Sequence, residues 1–438
     1  MTESTPRATA RGGRVIGGWE DREVAVFRGI PFAAPPVGEL RWRPPERAPA
    51  WEGERQAYAF GPAPLQPQPP ADSVMYRSNF ADSRPLVMSE DCLYLNVWTP
   101  EPSPATAGLP VMVWVHGGGN RYGHGSQDIH NGRSMAARGV VVVTLNYRLG
   151  ALGFLAHPGL GEASGNYGLL DIVAALTWVR ENIGAFGGDA DRVTLAGNSA
   201  GAAHVCHLMA SAVARPLFRA AIGQSASGVG RAEGPLPGLE EARRQGVAYA
   251  EGFGGRDAAG LLRISGVELI VRGHFGPVVD GRVLTEPTDD VFGCGRQHPV
   301  PLLTGSNLDE GTVYAPADSA REVGDARFVR PVRHWARVHH VTTGAPTWMY
   351  RFTRKPPMPP GLPDVGVYHT AELPYVLDTM DRRPDWPWRD ADRQLAATMA
   401  DAWARFVATG DPNGGALPRW DVFKGVGDEH ADEHAMVF

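Results

Sequence analysis

Five short apolar runs, Val111–Val115, Val140–Leu145, Val193–Ala196, Ala220–Ile222 and Pro301–Leu303, stand out from the polar background of the chain. They are too short for helices, and most are rich in β-branched or small residues. Runs of this kind predict strands buried on both faces, as in a parallel sheet covered by helices. Between them the apolar positions return at helical spacing. Gly168–Ile183 brings Leu169, Leu170, Val173, Leu176, Val179 and Ile183 close to one stripe. Ala200–Met209 is a small, apolar helix. Leu395–Thr409 is another, stopped by Gly410-Asp-Pro. The first fifty residues predict twisted antiparallel ribbons and turns instead. The sum is an α/β fold: a central, mostly parallel mixed sheet flanked by helices, with functional loops at the carboxyl ends of its strands.

Composition narrows this picture. A hydrophobic share of 43% against 21% charged residues suits a large packed core. The 54 glycines and 38 prolines imply many turns. The Pro-rich stretches at 31–49, 62–70 and 356–363 read as irregular surface loops rather than linkers, so one domain is expected over 1–438. A net charge of −6 offers no basic footprint for nucleic acid or an anionic membrane. No apolar run approaches the roughly 20 residues that span a bilayer. Met1-Thr-Glu-Ser-Thr-Pro-Arg-Ala has no apolar core for a signal peptide. The three cysteines, Cys92, Cys206 and Cys294, form neither a disulfide framework nor a metal motif. A reduced, cytoplasmic setting is expected. The Ala, Arg, Gly and Pro load suggests a bacterial source.

The chemistry is written at residues 197–201, Gly-Asn-Ser-Ala-Gly, which close the run Arg192–Ala196 and open the helix at Ala200. This is a G-x-S-x-G elbow in its required strand–turn–helix context. Glycines flank the serine because the backbone turns too sharply for a nearby Cβ, and the turn lifts the Ser199 hydroxyl clear of the sheet. A serine nucleophile needs a base, an acid to orient that base, and donors for the oxyanion. His116-Gly-Gly-Gly119 follows the Val111–Val115 strand and supplies the donors: the N–H groups of Gly118 and Gly119, with that of Ala200 after the nucleophile. The residues themselves do not choose the base among 14 histidines. His204 and His207 are expected to pack within the helix after the elbow, at i, i+3 rather than zinc-helix spacing. His116 is expected to stabilise its loop, and His339 and His340 have no motif around them.

Further stretches carry a resemblance. Phe27-Arg-Gly-Ile-Pro-Phe-Ala-Ala-Pro-Pro-Val-Gly-Glu-Leu-Arg41, Glu90-Asp-Cys-Leu-Tyr-Leu-Asn-Val-Trp98, Asn146-Tyr-Arg-Leu-Gly150 and Gly165-Asn-Tyr-Gly-Leu-Leu-Asp171 lead up to Phe186-Gly-Gly-Asp189 and the elbow. Gly305-Ser-Asn-Leu-Asp-Glu-Gly311 and Tyr368-His-Thr-Ala-Glu-Leu-Pro-Tyr375 follow it. Nearly end to end, the chain resembles the type-B carboxylesterases, the α/β-hydrolase family of cholinesterases, para-nitrobenzyl esterases and the non-catalytic neuroligins. The resemblance implies a serine esterase in which Glu310 is the triad acid and His369 the general base. It implies that Ser225 hydrogen-bonds the triad acid, that Arg148 and Asp171 form a buried ion pair, and that Cys92 is a buried free thiol. The mechanism implied needs no metal or cofactor. Its partner is a small-molecule ester, with no nucleic acid or membrane, and the oligomeric state is left open between monomer and dimer.

Three departures shape the expectations further. Asn198 stands where the family usually has glutamate: either the change is tolerated, the triad being intact, or it makes the site less favourable to cations. Arg121 stands just after the glycines, where many relatives place an aromatic, and either faces solvent, as most arginines do, or meets a polar or acidic acyl or alcohol group. The chain is shorter than typical relatives around 230–275 and between Glu310 and His369, which predicts a reduced helical roof and a wider, shallower pocket. A carbamate or amide hydrolase using the same residues is the alternative enzyme reading. A neuroligin-like binding protein is the alternative from another class, and the intact Ser199, Glu310 and His369 argue against it.

Overall fold

The computed structural model describes residues 5–100, 102, 108–161, 165–255, 257–415, 417–425 and 435–438. Met1 to Ser4, the start of the segment read above for a leader, lie outside them. Ten strands form the central sheet: β1 (Gly18–Trp19), β2 (Ala25–Pro31), β3 (Tyr94–Thr99), β4 (Leu109–Val115), β5 (Val141–Leu145), β6 (Gly188–Asn198), β7 (Ala220–Gln224), β8 (Leu302–Asn307), β9 (Thr347–Phe352) and β10 (Met436–Val437). Their order is β10-β9-β8-β7-β6-β4-β5-β3-β2-β1. From β10 to β5 every pairing is parallel, and β3, β2 and β1 continue the sheet antiparallel.

All five predicted strands are found: four run beyond a predicted end, and β5 begins one residue later than predicted, at Val141. Pairing explains the extension. Gly188 bridges to Leu109 of β4 ahead of a register shift, so the polar stretch up to Arg192 is carried into β6 as a bulge, which hydropathy does not register. The main helices are α1 (Tyr167–Asn182), α2 (Ala200–Ala210), α3 (Leu239–Glu251), α4 (Arg330–Thr343) and α5 (Asp390–Thr409). α5 stops at Gly410, whose left-handed φ of 80° closes the last turn by donating to Phe406 O. α4 is hidden in the sequence by its six Arg and His residues, yet it buries Val332, Trp335, Ala336 and His339 on one face. The N-terminal ribbon is present as Arg7–Ala10 paired antiparallel with Gly13–Ile16.

Two large apolar clusters cover the sheet. One holds Val113, Val115, Leu195 and α1 with α2; the other holds Trp114, Ala196, Ile222 and α5. Arg148 and Asp171 are buried and joined through two guanidinium hydrogen bonds, 2.8 and 2.7 Å. Cys92 is a buried free thiol, as is Cys206, while Cys294 is exposed. Among the described residues no helix is long and apolar enough to cross a membrane.

Candidate active site

The register of the sheet assembles the site. Gly197 lies opposite Val115, so the loop starting at His116 leaves β4 beside the turn that leaves β6. Asn198 lies opposite Gln224, and Gln224 opposite Gly305, which brings the ends of β7 and β8 alongside. Ser199, Ser225 and the Asn307–Glu310 turn therefore emerge on one edge, at the carboxyl ends of neighbouring parallel strands.

At the end of β6 the chain turns through Ser199 with φ 55° and ψ −128°, a strained conformation for a residue with a side chain. The turn is held by Ser199 N–H donating to Gln224 O at 2.8 Å and by Ala203 N–H donating to Ser199 O at 3.0 Å. Gly201 is required by packing, because a Cβ there would lie 2.1 Å from Val115 O. Gly118 has φ 111°, and a Cβ on it would lie 2.2 Å from Tyr122 O. Among the described residues the N–H groups of Gly118, Gly119 and Ala200 donate to no backbone carbonyl. Gly119 and Ala200 line one cavity with Ser199, and Ala200 N–H opens α2, where the helix end favours negative charge.

His369 and Glu310 come from loops after β9 and β8, and both are buried. His369 Nδ1 meets Glu310 Oε2 at 2.6 Å, and Asn307 N–H donates to Glu310 Oε1 at 2.7 Å. The carboxylate thus fixes which imidazole nitrogen carries the proton. The other, Nε2, is buried and has no hydrogen-bond partner. The His369 ring packs against Phe328 and Tyr314, with centroids 4.4 and 5.3 Å away, and the Tyr314 hydroxyl lies beside Ser199.

Glu372 was not singled out in the sequence, although it stands three residues after His369. It is buried and accepts from Asn198 Nδ2 at 3.1 Å, Gln224 Nε2 at 3.0 Å and Asn307 Nδ2 at 2.6 Å. Burial raises its carboxyl above the ordinary range, and Glu310 adds to the rise. Asn198 accordingly does not leave the ground behind Ser199 without a carboxyl.

Ser225 departs from its expected role. Its backbone holds the edge, with N–H donating to Gly305 O at 2.9 Å and φ 58°. Its hydroxyl is buried without a hydrogen-bond partner, so the bond to Glu310 is not made. The acceptor sites of Glu310 are instead served by the His369 ring and the Asn307 backbone.

Five other histidines, His116, His204, His207, His339 and His340, are held by structural contacts. His116 stacks on Tyr147 at 4.4 Å, its Nδ1 lies 2.8 Å from Gly117 O, and burial lowers its pKa well below the usual value. His204 stacks on Phe154, and burial pushes it down to about 3. His207 Nδ1 lies 2.8 Å from Thr288 Oγ1. His339 contacts Val300 O through Nε2 at 2.9 Å, and His340 Nδ1 lies 3.1 Å from Ala345 O.

The cavity over Ser199 measures about 320 Å³. Its walls come in part from the two segments expected to be trimmed. Residues 231–245 supply Arg231, Glu233 and Leu236, His274 and Phe275 come from the loop beyond α3, and Arg327 and Phe328 precede α4. Arg121 lines a small adjoining cavity that shares Asn120, His274 and Phe275 with this one.

The chain is similar to known proteins over nearly its whole length. The Carboxylesterase family model matches residues 4–323 and 317–435. The chain belongs to the carboxylesterase family. It is 35% identical to the para-nitrobenzyl esterase of Bacillus subtilis, over 95% of this chain and 92% of that protein. It is also 35% identical to the fumonisin B1 esterase of Sphingopyxis macrogoltabida, over 93% and 83%, and 32% identical to a human cocaine esterase, over 96% and 86%. A solved para-nitrobenzyl esterase superimposes with a TM-score of 0.83 at 32% identity, covering 96% of this chain and 94% of the other. A thermophilic para-nitrobenzyl esterase gives 0.84 at 33% identity over the same shares. This carboxylesterase therefore has the α/β-hydrolase fold and is a carboxylic-ester hydrolase.

Proposed function

We propose that the chain, as a single domain, hydrolyses small-molecule carboxylic esters through an acyl-enzyme intermediate. The reading is carried by the pairing of Glu310 with His369 Nδ1 at 2.6 Å, which leaves Nε2 without a hydrogen-bond partner, while the same ring packs against Tyr314, whose hydroxyl lies beside Ser199. His369 Nε2 takes the Ser199 proton as Oγ bonds to the ester carbonyl carbon. Negative charge that collects on the carbonyl oxygen is met by the N–H groups of Gly118, Gly119 and Ala200. His369 then passes its proton to the departing alcohol as the ester C–O bond breaks. Water, deprotonated by the same nitrogen, attacks the acyl-enzyme, and the released proton returns to Ser199 Oγ. Glu310 keeps the imidazole in the required tautomer and stabilises its cationic form. Asn198 and Ser225 hold the surrounding backbone and carboxyl groups in place. The chemistry calls for no cofactor. We place the protein in a bacterial cytoplasm, acting without nucleic-acid or membrane partners, as a monomer or dimer.

The test is hydrolysis of para-nitrophenyl esters from acetate to decanoate by the wild type and by Ser199→Ala. The expected result is turnover that falls by at least about a thousandfold in the variant. Equal rates for both proteins would overturn the serine mechanism. The chain-length profile also tests the wide-pocket expectation, which a collapse beyond short acyl chains would contradict.

A further inference from the structure

The wall of the Ser199 cavity carries an excess of positive charge. Its ionisable lining, besides histidines, is Arg231, Glu233 and Arg327. Arg327 Nε pairs with Glu233 Oε1 at 3.3 Å, and both side chains are about half exposed, at 45% and 51%. An ion pair so open to water is weak, and a better-placed carboxylate can displace it. Arg231 has no ion-pair partner among the described residues.

Two histidines that line the cavity, His274 and His207, face the same arginines. His274, exposed at the cavity mouth, is lowered by desolvation, then by Arg121 and Arg327, with Arg231 adding to the effect and only Glu233 opposing it. His207, on α2, is lowered mainly by burial, with His204 and Arg231 contributing. The remaining wall includes Phe275, Phe328 and Leu236, apolar surfaces that concentrate the field of the arginines inside the cleft. Guanidinium groups offer the paired donors that a carboxylate accepts.

We propose that this site selects esters that carry a carboxylate elsewhere in the molecule, bound by Arg231 and Arg327 beside His274. The proposal rests on the ester-hydrolase reading of Ser199, and it names the class of ester that reading leaves open. The two segments that supply the arginines thereby act as a specificity wall of the cavity that Ser199 lines.

Two substrate pairs of matched size test it: para-nitrophenyl hydrogen adipate against para-nitrophenyl hexanoate, with the charge on the acyl side, and 4-acetoxybenzoate against phenyl acetate, with the charge on the alcohol side. In the wild type the charged member of at least one pair is expected to have a kcat/KM about tenfold higher, and the pair that shows it locates the carboxylate. Arg231→Gln is expected to lower that ratio by about tenfold, chiefly through KM, the scale of one charge-assisted contact. Arg231→Lys is expected to retain part of it, and Glu233→Gln, which frees Arg327, to raise it. Ratios at or below one for both pairs in the wild type would overturn the proposal, as would ratios unmoved by both Arg231→Gln and Glu233→Gln. Turnover of the neutral esters alone would defeat this inference and leave the esterase reading standing. Turnover of none of the four would defeat both.

Discussion

Asn198, immediately before the candidate nucleophile, donates its side-chain amide to Glu372 Oε1 at 3.1 Å. Glu372 lies three residues beyond His369, so this one bond ties the end of β6 to the loop that carries the base. Gln224 and Asn307 make the same tie from the ends of β7 and β8. Trp403 on α5 then fixes Gln224 by donating to its Oε1 at 3.1 Å. Glu372 is a common anchor for the three strand ends that set the distance between Ser199 and His369.

Replacing the donor with a second acid should disturb this anchor in a pH-dependent way. Asn198→Glu removes an amide donor and sets a carboxyl against Glu372, already raised by burial and by Glu310. Like-charged carboxyls in one site push one pKa up further. A carboxyl whose folded pKa exceeds its unfolded value binds more protons when folded, so its contribution worsens as pH rises above the unfolded value near 4.5. The variant is expected to be destabilised by about 1–3 kcal/mol at pH 8 and by less at pH 5, with Asn198→Glu/Glu372→Gln recovering most of the loss. Urea denaturation at the two pH values measures this. An identical deficit at both would show that the carboxyls do not interact.

The buried histidines predict an acid limit on stability. His204 sits between Phe154 and Tyr147 with neither ring nitrogen hydrogen-bonded, and burial pushes it from 6.5 down to about 3. His130 is likewise pushed down to about 3, by burial first and by His124 next. A histidine held neutral in the fold binds fewer protons than the unfolded chain. Its stabilisation is complete above pH 6.5 and is lost as pH falls from there towards 3. Each such residue steepens the decline by up to about 1.4 kcal/mol per pH unit. His204→Phe is expected to flatten the slope of unfolding free energy between pH 6 and 5 by about one proton. A slope unchanged by this substitution would mean that His204 is already charged in the fold.

Breaking the Arg148–Asp171 pair should cost folding rather than chemistry. Both side chains are almost wholly buried, at 4% and 0% exposure, and Asp171 Oδ2 also accepts from Arg148 N–H at 3.0 Å. Arg148→Met strands a buried carboxylate, for an expected loss of about 3–5 kcal/mol, and Arg148→Met/Asp171→Leu should regain much of it. The residual esterase activity should fall in step with the folded fraction followed by circular dichroism. A fully folded Arg148→Met protein with impaired kcat would point to a direct role in the reaction instead.

Local signals made a large part of the molecule legible. The unbroken apolar runs are the parallel strands because both faces of such a strand are covered, and the Gly-Asn-Ser-Ala-Gly turn is recognisable because no Cβ fits at Gly201. Arg148 and Asp171 were read through family resemblance and meet as expected. The hydrogen bond assigned to the Ser225 hydroxyl failed because no local pattern records where a side chain points. α4 was overlooked because charge masks its buried stripe. Glu372 went unnoticed because a single acid in a loop looks like surface until three amides are found around it.

The sequence by itself determined the strands, the nucleophile elbow, the glycine loop and membership of a family, since each depends on residues near one another in the chain. Only the tertiary structure decided how those pieces meet. The pairing of Gly197 with Val115 and of Asn198 with Gln224 sets the two loops and Ser225 side by side. Burial decides which histidines remain neutral, and a contact spanning 59 residues selects His369 as the partner of Glu310. The arginine wall of the cavity that Ser199 lines belongs to the same class of fact. It combines residues near 231 and 327 whose charges act together only when folding brings them across one cavity, because electrostatic interactions depend on distance in space rather than along the chain.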